Sequence, residues 1–161
     1  MTLTTLQKTQ INNSNKAMQS GQVGTLLGNL ETGAASPYRK ITQTVLYSQF
    51  TDGGSTSSTF TLTAGTIPAG ATVLFSSVSA ITGFTGDTSA VITIGDGTDV
   101  DRYNTGTPSV FTTAANGISV GAPSGTQYHA AAKSVVLTVT SATDFGAVAA
   151  GSVTVNIYYL V

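Results

Sequence analysis

The chain has 161 residues, a length that fits one domain built around a single sizeable core. Charged residues make up 8% of the chain and its net charge is −1, so a basic face for nucleic acid is not predicted. Cysteine is absent, which excludes disulfides and thiolate metal sites. The many threonine, serine and glycine residues indicate a surface solvated by hydroxyl groups, and such a surface suits assembly because copies repel one another little.

Residues 1–40 are predicted to form an extended N-terminal arm, because asparagine and glutamine are frequent and apolar side chains are too sparse to cover a sheet face. A short helix is possible where four apolar residues have helical spacing: Val23, Leu26, Leu27 and Leu30. The arm carries a net charge of +3 and the remainder −4. No apolar stretch follows a basic start, so neither secretion nor membrane insertion is expected.

Residues 41–161 are predicted to form an antiparallel β-sandwich of about seven strands, because turns recur at regular intervals and no helical spacing appears. The first strand is predicted over Ile41–Phe50. Phe60 and Leu62 alternate with threonines and are predicted to point inward. The run Lys133–Thr140 also alternates, with Val135, Leu137 and Val139 predicted to point inward. Val73 and Phe75 share one phase and Val78 the opposite one, which predicts a β-bulge near Ser76–Ser77.

The last strand has the clearest alternation in the chain. It places five residues on one inward face: Val153, Val155, Ile157, Tyr159 and Val161. With Val161 buried, truncation at the C-terminus is expected to unfold the domain. One of Tyr158 and Tyr159 must point outward, where it would serve either an interface, a sugar-stacking patch or plain sheet packing.

The segment Thr59–Tyr103 runs through a strand, the turn Ile67-Pro68-Ala69-Gly70-Ala71, a second strand, the residues GFTGDT and the residues AVITIGDGTDVDRY. This order resembles the β-sandwich proteins of tailed-bacteriophage virions, most of all the trimeric jelly-roll proteins that decorate capsids. The resemblance implies a jelly roll and a decoration, or cement, protein on the outside of the head. Its partners would be the major capsid protein and further copies of itself in a homotrimer, and the chain would be made in the host cytoplasm.

Under this hypothesis, basic and apolar residues at the N-terminal end would contact the shell: Lys8, Lys16, Leu26, Leu27, Leu30, Arg39 and Lys40. The arm could equally be a strap across its own domain. A second hypothesis is a receptor- or glycan-binding module of a head fibre or tail, which would use the loops Gly83–Thr88 and Thr105–Pro108. The absence of tryptophan weighs against it.

Catalysis is not predicted, and no cofactor is expected. Asp96, Asp99 and Asp101 form an acidic cluster in a glycine-rich loop, where they could gather oxygen ligands for Ca²⁺ or cap turns through backbone amides. His129 is the sole histidine and lacks a second imidazole or a cysteine for a zinc site. A hydrolase would need a nucleophile that the sequence does not reveal, although Asp87 or Asp144 could in principle orient His129.

Overall fold

The computed structural model describes residues 37–112 and 119–161. This part of the chain contains eight strands and two single-turn 3₁₀ helices, Tyr47–Gln49 and Phe145–Ala147. The strands are β1 (Tyr38–Leu46), β2 (Thr51–Asp52), β3 (Ser57–Thr61), β4 (Thr72–Thr85), β5 (Ala90–Gly95), β6 (Ser119–Gly121), β7 (Val136–Ser141) and β8 (Ala150–Leu160).

The strands form two four-stranded sheets in which every neighbouring pair is antiparallel. The first sheet has the order β1-β8-β4-β6, and the second has the order β2-β3-β7-β5. The hairpin β2-β3 lies within the second sheet. All the remaining connections between consecutive strands cross from one sheet to the other. The predicted all-β, antiparallel sandwich is therefore confirmed.

The core lies between the two sheets, and inward side chains of both sheets belong to one cluster of buried residues. Ile41, Val153 and Ile157 line it from the first sheet, whereas Ile92 and Leu137 line it from the second. Near one end of the sandwich, the ring of Phe50 packs against three other rings, with centroids 5.9 to 6.1 Å away: Phe60, Phe84 and Phe145. The inward positions predicted from alternation in β3, β7 and β8 are correct up to Tyr159.

The second sheet is regular, because β7 pairs with β3 and with β5 without any register shift. In the first sheet, β4 pairs with β8 through three register shifts, between Val73 and Phe75, between Ser79 and Thr82, and between Thr82 and Thr85. At each shift β4 contains one residue more than β8, as in a β-bulge. The 14 residues of β4 are thereby matched to the 11 residues of β8.

The predicted bulge exists, but it lies at Leu74 rather than at Ser76–Ser77. Val73 pairs with Tyr159 and Phe75 pairs with Tyr158, so Leu74 is the extra residue. Phe75 therefore points outward, whereas Val73 and Val78 are both fully buried. Moving the bulge two residues earlier keeps both valines inside and leaves the phenylalanine outside.

Two strand ends differ from the sequence prediction. β1 stops at Leu46 rather than at Phe50, because the Gln49 side chain accepts the Leu46 N–H (2.8 Å) and the chain turns. Val161 follows the end of β8 and is 55% exposed, so its predicted burial is wrong. β1 begins at Tyr38, three residues before the predicted start of the domain, and residues 1–36 of the predicted arm lie outside the described part.

Candidate interaction surface

The side chains of the first sheet that point away from the core form a surface that we call the first outer face. Its members include Tyr38, Lys40, Thr42, Thr44 and Leu46 of β1; Thr72, Phe75, Ser77, Ser79 and Thr82 of β4; Val120 of β6; and Ser152, Thr154, Asn156, Tyr158 and Leu160 of β8. Lys40 is the one charged side chain in this set.

An aromatic pair lies on this face next to the bulge. The rings of Phe75 and Tyr158 are stacked, with centroids 4.3 Å apart and planes 20° from parallel. The Lys40 ammonium lies 5.9 Å from the centroid of the Tyr158 ring, within the range of a cation–π contact. Phe75 remains 37% exposed, so the pair is accessible from outside.

A hydrogen-bonded network centred on Asn156 lies beside the aromatic pair. The Asn156 amide accepts a bond from the Thr42 hydroxyl (3.0 Å) and donates to the hydroxyls of Ser77 and Ser79, both at 3.2 Å. These hydrogen bonds connect β1, β8 and β4, and Asn156 is buried although its side chain lies on an outward face. The network fixes the polar side chains at the middle of the face and satisfies their hydrogen-bonding groups.

Exposed apolar side chains surround the network. Val120 on β6 is 65% exposed, and Leu46 at the end of β1 is also exposed. Tyr128 is exposed too and is bridged to Thr72, one of the outward residues of β4. Exposed apolar side chains of this number on one sheet face are typical of a protein–protein contact.

The acidic loop after β5 is organised by Asp96. Its Oδ1 accepts the backbone N–H groups of Thr98 (3.0 Å) and Asp99 (2.9 Å). Its Oδ2 lies 3.2 Å from the Lys133 ammonium and 3.8 Å from Arg102 Nε, and the side chain is 3% exposed. Burial raises the pKa of Asp96, but the two N–H donors and Lys133 outweigh it, and the net pKa is lowered.

Asp99 and Asp101 also bond within the loop. Asp99 accepts the backbone N–H of Asp101 (3.4 Å) and the hydroxyl of Ser124 (3.4 Å). The nearby Asp99 carboxyl raises the pKa of Asp101. Within residues 37–112 and 119–161, no three His, Cys, Asp or Glu side chains are grouped so that they could hold a metal ion. The contacts of Asp96 favour the turn-capping interpretation, since its oxygens already have partners.

His129 is buried near Asp96 and Arg102 of the acidic loop. Its ring meets the ring of Tyr103 edge-on, with centroids 5.6 Å apart. Burial lowers the pKa of His129, and Arg102 lowers it further, while Asp96 acts in the opposite direction. Burial also disfavours the charged form of Tyr103, and it therefore raises the pKa of that hydroxyl. His129 Nε2 and the Tyr103 hydroxyl have no hydrogen-bond partner within the described residues.

The structure places Asp87 and Asp144 elsewhere than beside His129. Asp87 accepts the N–H groups of Thr143 (2.9 Å) and Thr88 (2.6 Å), and chiefly these bonds lower the pKa of Asp87 to about 2. Asp144 caps the second 3₁₀ turn through the N–H of Gly146 (3.0 Å). Both carboxylates therefore stabilise loops.

The predicted partner-contact residues divide into two groups. Five lie outside the described residues, so their positions stay a prediction: Lys8, Lys16, Leu26, Leu27 and Leu30. The other two, Arg39 and Lys40, lie on β1 opposite Tyr159 and Tyr158. Of these two, Lys40 belongs to the first outer face.

Sequence reasoning missed most of the first outer face. It placed Phe75 inward and did not single out Val120 or Tyr128. The outward Tyr158 was the signal that could have identified the face. In the loops predicted for glycan binding, Phe84 is fully buried, and Thr105–Pro108 contains no aromatic residue.

No helix in the part of the chain that the structure describes is long and apolar enough to span a bilayer. No protein-family model matches the chain, and no curated protein matches it either.

Chains from two phage capsids are among the solved structures that match this chain. A chain from the cyanophage Pam1 capsid asymmetric unit superposes with a TM-score of 0.59 at 17% identity, over 77% of this chain and 84% of that one. A chain from the acidic stable capsid structure of Helicobacter pylori bacteriophage KHP30 gives a TM-score of 0.41 at 17% identity, over 77% of this chain and 93% of that one. The first likeness shows a shared fold.

Proposed function

We propose that this chain is a structural protein of a bacteriophage virion and, more narrowly, a decoration protein that binds the outside of the head and stabilises the shell. The observation that carries the proposal is the likeness in fold to a chain of the Pam1 capsid, which extends over most of both chains. Fold alone does not fix function, so the surface and the loops must supply the rest of the argument.

The strand order supports the jelly-roll form of the proposal. In each sheet, strands from the first part of the chain lie next to strands from the last part, as β1 lies next to β8 and β3 next to β7. The chain also crosses between the sheets at almost every connection. This arrangement is typical of a double-sheet jelly roll, an architecture that occurs in viral capsid domains.

The state of the chemically reactive groups favours a binding role over catalysis. The His129 ring is enclosed at 3% exposure and packed against Tyr103. Asp87, Asp96 and Asp144 are engaged with backbone N–H groups of their own or neighbouring loops. A non-enzymatic role is therefore part of the proposal.

Stabilisation would come from contacts that are weak singly and add up over many copies. A homotrimer offers three linked contacts, so each further contact forms at high effective concentration. The basic and apolar residues of the arm would extend the footprint on the major capsid protein, with the amines steering toward acidic shell surface. A protein that binds only the closed shell raises the energy needed to open it.

The experiment compares heads carrying the full-length protein with heads stripped of it. We expect co-sedimentation with intact heads, an increase in the temperature at which heads release DNA, and loss of co-sedimentation in a variant with Lys8, Lys16, Arg39 and Lys40 all changed to glutamine. A control variant, Arg102→Gln, changes a basic residue outside the predicted contact set and should still bind. Heads that neither bind the protein nor gain heat resistance would overturn the proposal.

One observation favours a second candidate, a glycan-binding module. The exposed Phe75–Tyr158 pair offers an aromatic surface of the kind on which sugar rings stack. Binding of host surface polysaccharide that disappears in Phe75→Ser, together with a few copies at a vertex instead of many over the shell, would support this candidate over decoration.

A further inference from the structure

We propose that copies of this chain associate through the first outer face, so that the face of one copy packs against the face of another. Packing of the same face on both copies is a two-fold contact, so the inference goes beyond the proposed homotrimer and assigns this face to a contact between two copies. Four properties of the face lead to it.

The first property is the distribution of exposed apolar side chains. Leu46, Phe75 and Val120 all belong to the first outer face, and the exposed Tyr128 lies beside it. Val100, in the loop after β5, is a comparable exposed residue outside it. Apolar exposure concentrated on one sheet face is removed from water when another surface covers that face.

The second property is that the polar groups at the middle of the face already have partners. Asn156 is bonded to Thr42, Ser77 and Ser79, and the hydroxyls of Thr44 and Thr154 bond to each other at 2.8 Å. Covering a polar group costs free energy mainly when its hydrogen bonds are left unmade. This face can therefore lose its water at low cost, which a charged or unpaired surface could not.

The third property is charge. Lys40 is the one charged side chain of the first outer face, and its ammonium lies over the ring of Tyr158. A strongly acidic partner would find one cation to pair with and several apolar groups to cover. A second, nearly uncharged face with the same composition matches better, because neither copy has to bury an uncompensated cluster of charges.

The fourth property is area. The face is as long as β1, which has nine residues, and four strands wide when β6 and the Tyr128 segment are counted together as one strand. It therefore measures roughly 30 Å by 19 Å, or roughly 570 Å² in projection. Two faces together then bury roughly 1,100 Å², which reaches the about 1,000 Å² expected of a specific interface. The association is expected to be reversible and dependent on concentration.

The test measures the mass of the full-length chain by sedimentation equilibrium over a range of concentrations. The wild-type protein is expected to form oligomers that are multiples of the 16.3 kDa chain. Phe75→Ser and Val120→Ser should each raise the dissociation constant about tenfold or more, since removal of an apolar anchor from an interface core has effects of this size. Val100→Ser removes an equally exposed valine elsewhere (56% against 65% exposed) and should leave the mass unchanged.

A labelling measurement keeps the test decisive if a serine variant fails to fold. The chain has no cysteine, so Val120→Cys and Val100→Cys each introduce one thiol. Alkylation at position 120 should slow as protein concentration rises, whereas alkylation at position 100 should not change. Equal rates at both positions, or a wild-type chain that stays monomeric at every concentration, would overturn the inference.

The same thiols separate this inference from the proposed function. If the wild-type chain is monomeric in solution but position 120 becomes protected on heads, the face meets the shell rather than another copy, and decoration still holds. If the chain oligomerises through the face but never binds heads, the inference holds and the proposed function fails.

Discussion

The two sheets of the sandwich have similar inner faces and different outer faces. In the second sheet, unbroken pairing puts hydroxyls and half-buried valines outside: Thr59 and Thr61 of β3, Val91 and Thr93 of β5, and Val136, Thr138 and Thr140 of β7. In the first sheet, three register shifts along β4 go together with a stacked aromatic pair and exposed valine and leucine side chains outside. The regular sheet presents a plain polar surface and the irregular one presents a surface suited to contact.

The comparison shows that a bulge can set which residues a sheet presents. In a regular strand with Leu74 paired like its neighbours, two-residue alternation would keep Val73 and Phe75 on the same side. The bulge separates them and places the ring of Phe75 against Tyr158. A change of one residue in register thus creates the aromatic part of the first outer face.

The largest expected difference between the sheets comes from deleting one residue. Removing Leu74 takes out the extra residue of the bulge and leaves the orientations of Val73, Ser76 and Val78 unchanged, so the domain should fold with a modest loss of stability. Removing Thr138 shifts the register of the central strand β7 and turns half of its inward residues outward, which should abolish folding. Near-UV circular dichroism and thermal melting measure both, and similar melting temperatures for the two deletions would contradict this account.

A smaller difference is expected at a glycine that β4 and β8 need for their close approach. Gly151 has φ 130°, and a Cβ there would lie 2.7 Å from the Phe84 Cα. Gly151→Ala should therefore destabilise the domain by about 3 kcal/mol or more. Gly125 also has positive φ (57°) but open space around it, so Gly125→Ala should cost about 1 kcal/mol. Urea unfolding distinguishes the two, and equal losses would show that backbone conformation alone matters.

The network on the first outer face should matter more than the threonines of the second. Asn156→Ala removes three hydrogen bonds and should cost about 1 to 2 kcal/mol in unfolding free energy. Thr138→Ala is the matched change in the second sheet, where the backbone carbonyl rather than the hydroxyl accepts a bond from Thr93 (3.5 Å), and it should cost about 0.5 kcal/mol or less. An Asn156→Ala variant as stable as Thr138→Ala would remove the distinction between the faces.

Acidification should act on the loops and spare both outer faces, which contain few titratable groups. Because the pKa of His129 is lowered in the fold from its ordinary value of 6.5, the unfolded chain takes up the proton first. Stability from this residue is present above 6.5 and is lost as the pH falls from 6.5 through the lowered pKa of the folded protein. The groups near the ring that bear on its charge are Arg102 and Lys133, which oppose protonation, and Asp96, which favours it.

In His129→Gln this loss between neutral and mildly acidic pH should disappear, while association through the first outer face should be unchanged over the same range. Melting temperature and sedimentation measured against pH check the two parts separately. Asp87 acts in a lower window, because its contribution is lost progressively as the pH falls from the ordinary pKa of 3.8 to the lowered pKa of about 2. An unaltered acid profile in His129→Gln would show that another group is responsible.

Alternation and turn residues in the sequence were enough for the all-β class, the inward residues of β3, β7 and β8, and the turn at Ile67–Gly70. These features depend on neighbours along the chain, since a period of two residues and a glycine with positive φ are local properties. Gly70 does adopt φ 84°. The sequence also determined that one of the two adjacent tyrosines near the C-terminus must face outward.

Only the tertiary structure decided the position of the bulge, the outward turn of Phe75 and the ion pair between Asp96 and Lys133. Each depends on a partner distant in sequence: Tyr158 for Phe75, Lys133 for Asp96, and β8 for the register of β4. Which residue of β4 is left unpaired depends on how that strand fits β8, and alternation within β4 alone is compatible with more than one answer. The candidate interaction surface follows from that fit between strands, so it became visible only in the folded sandwich.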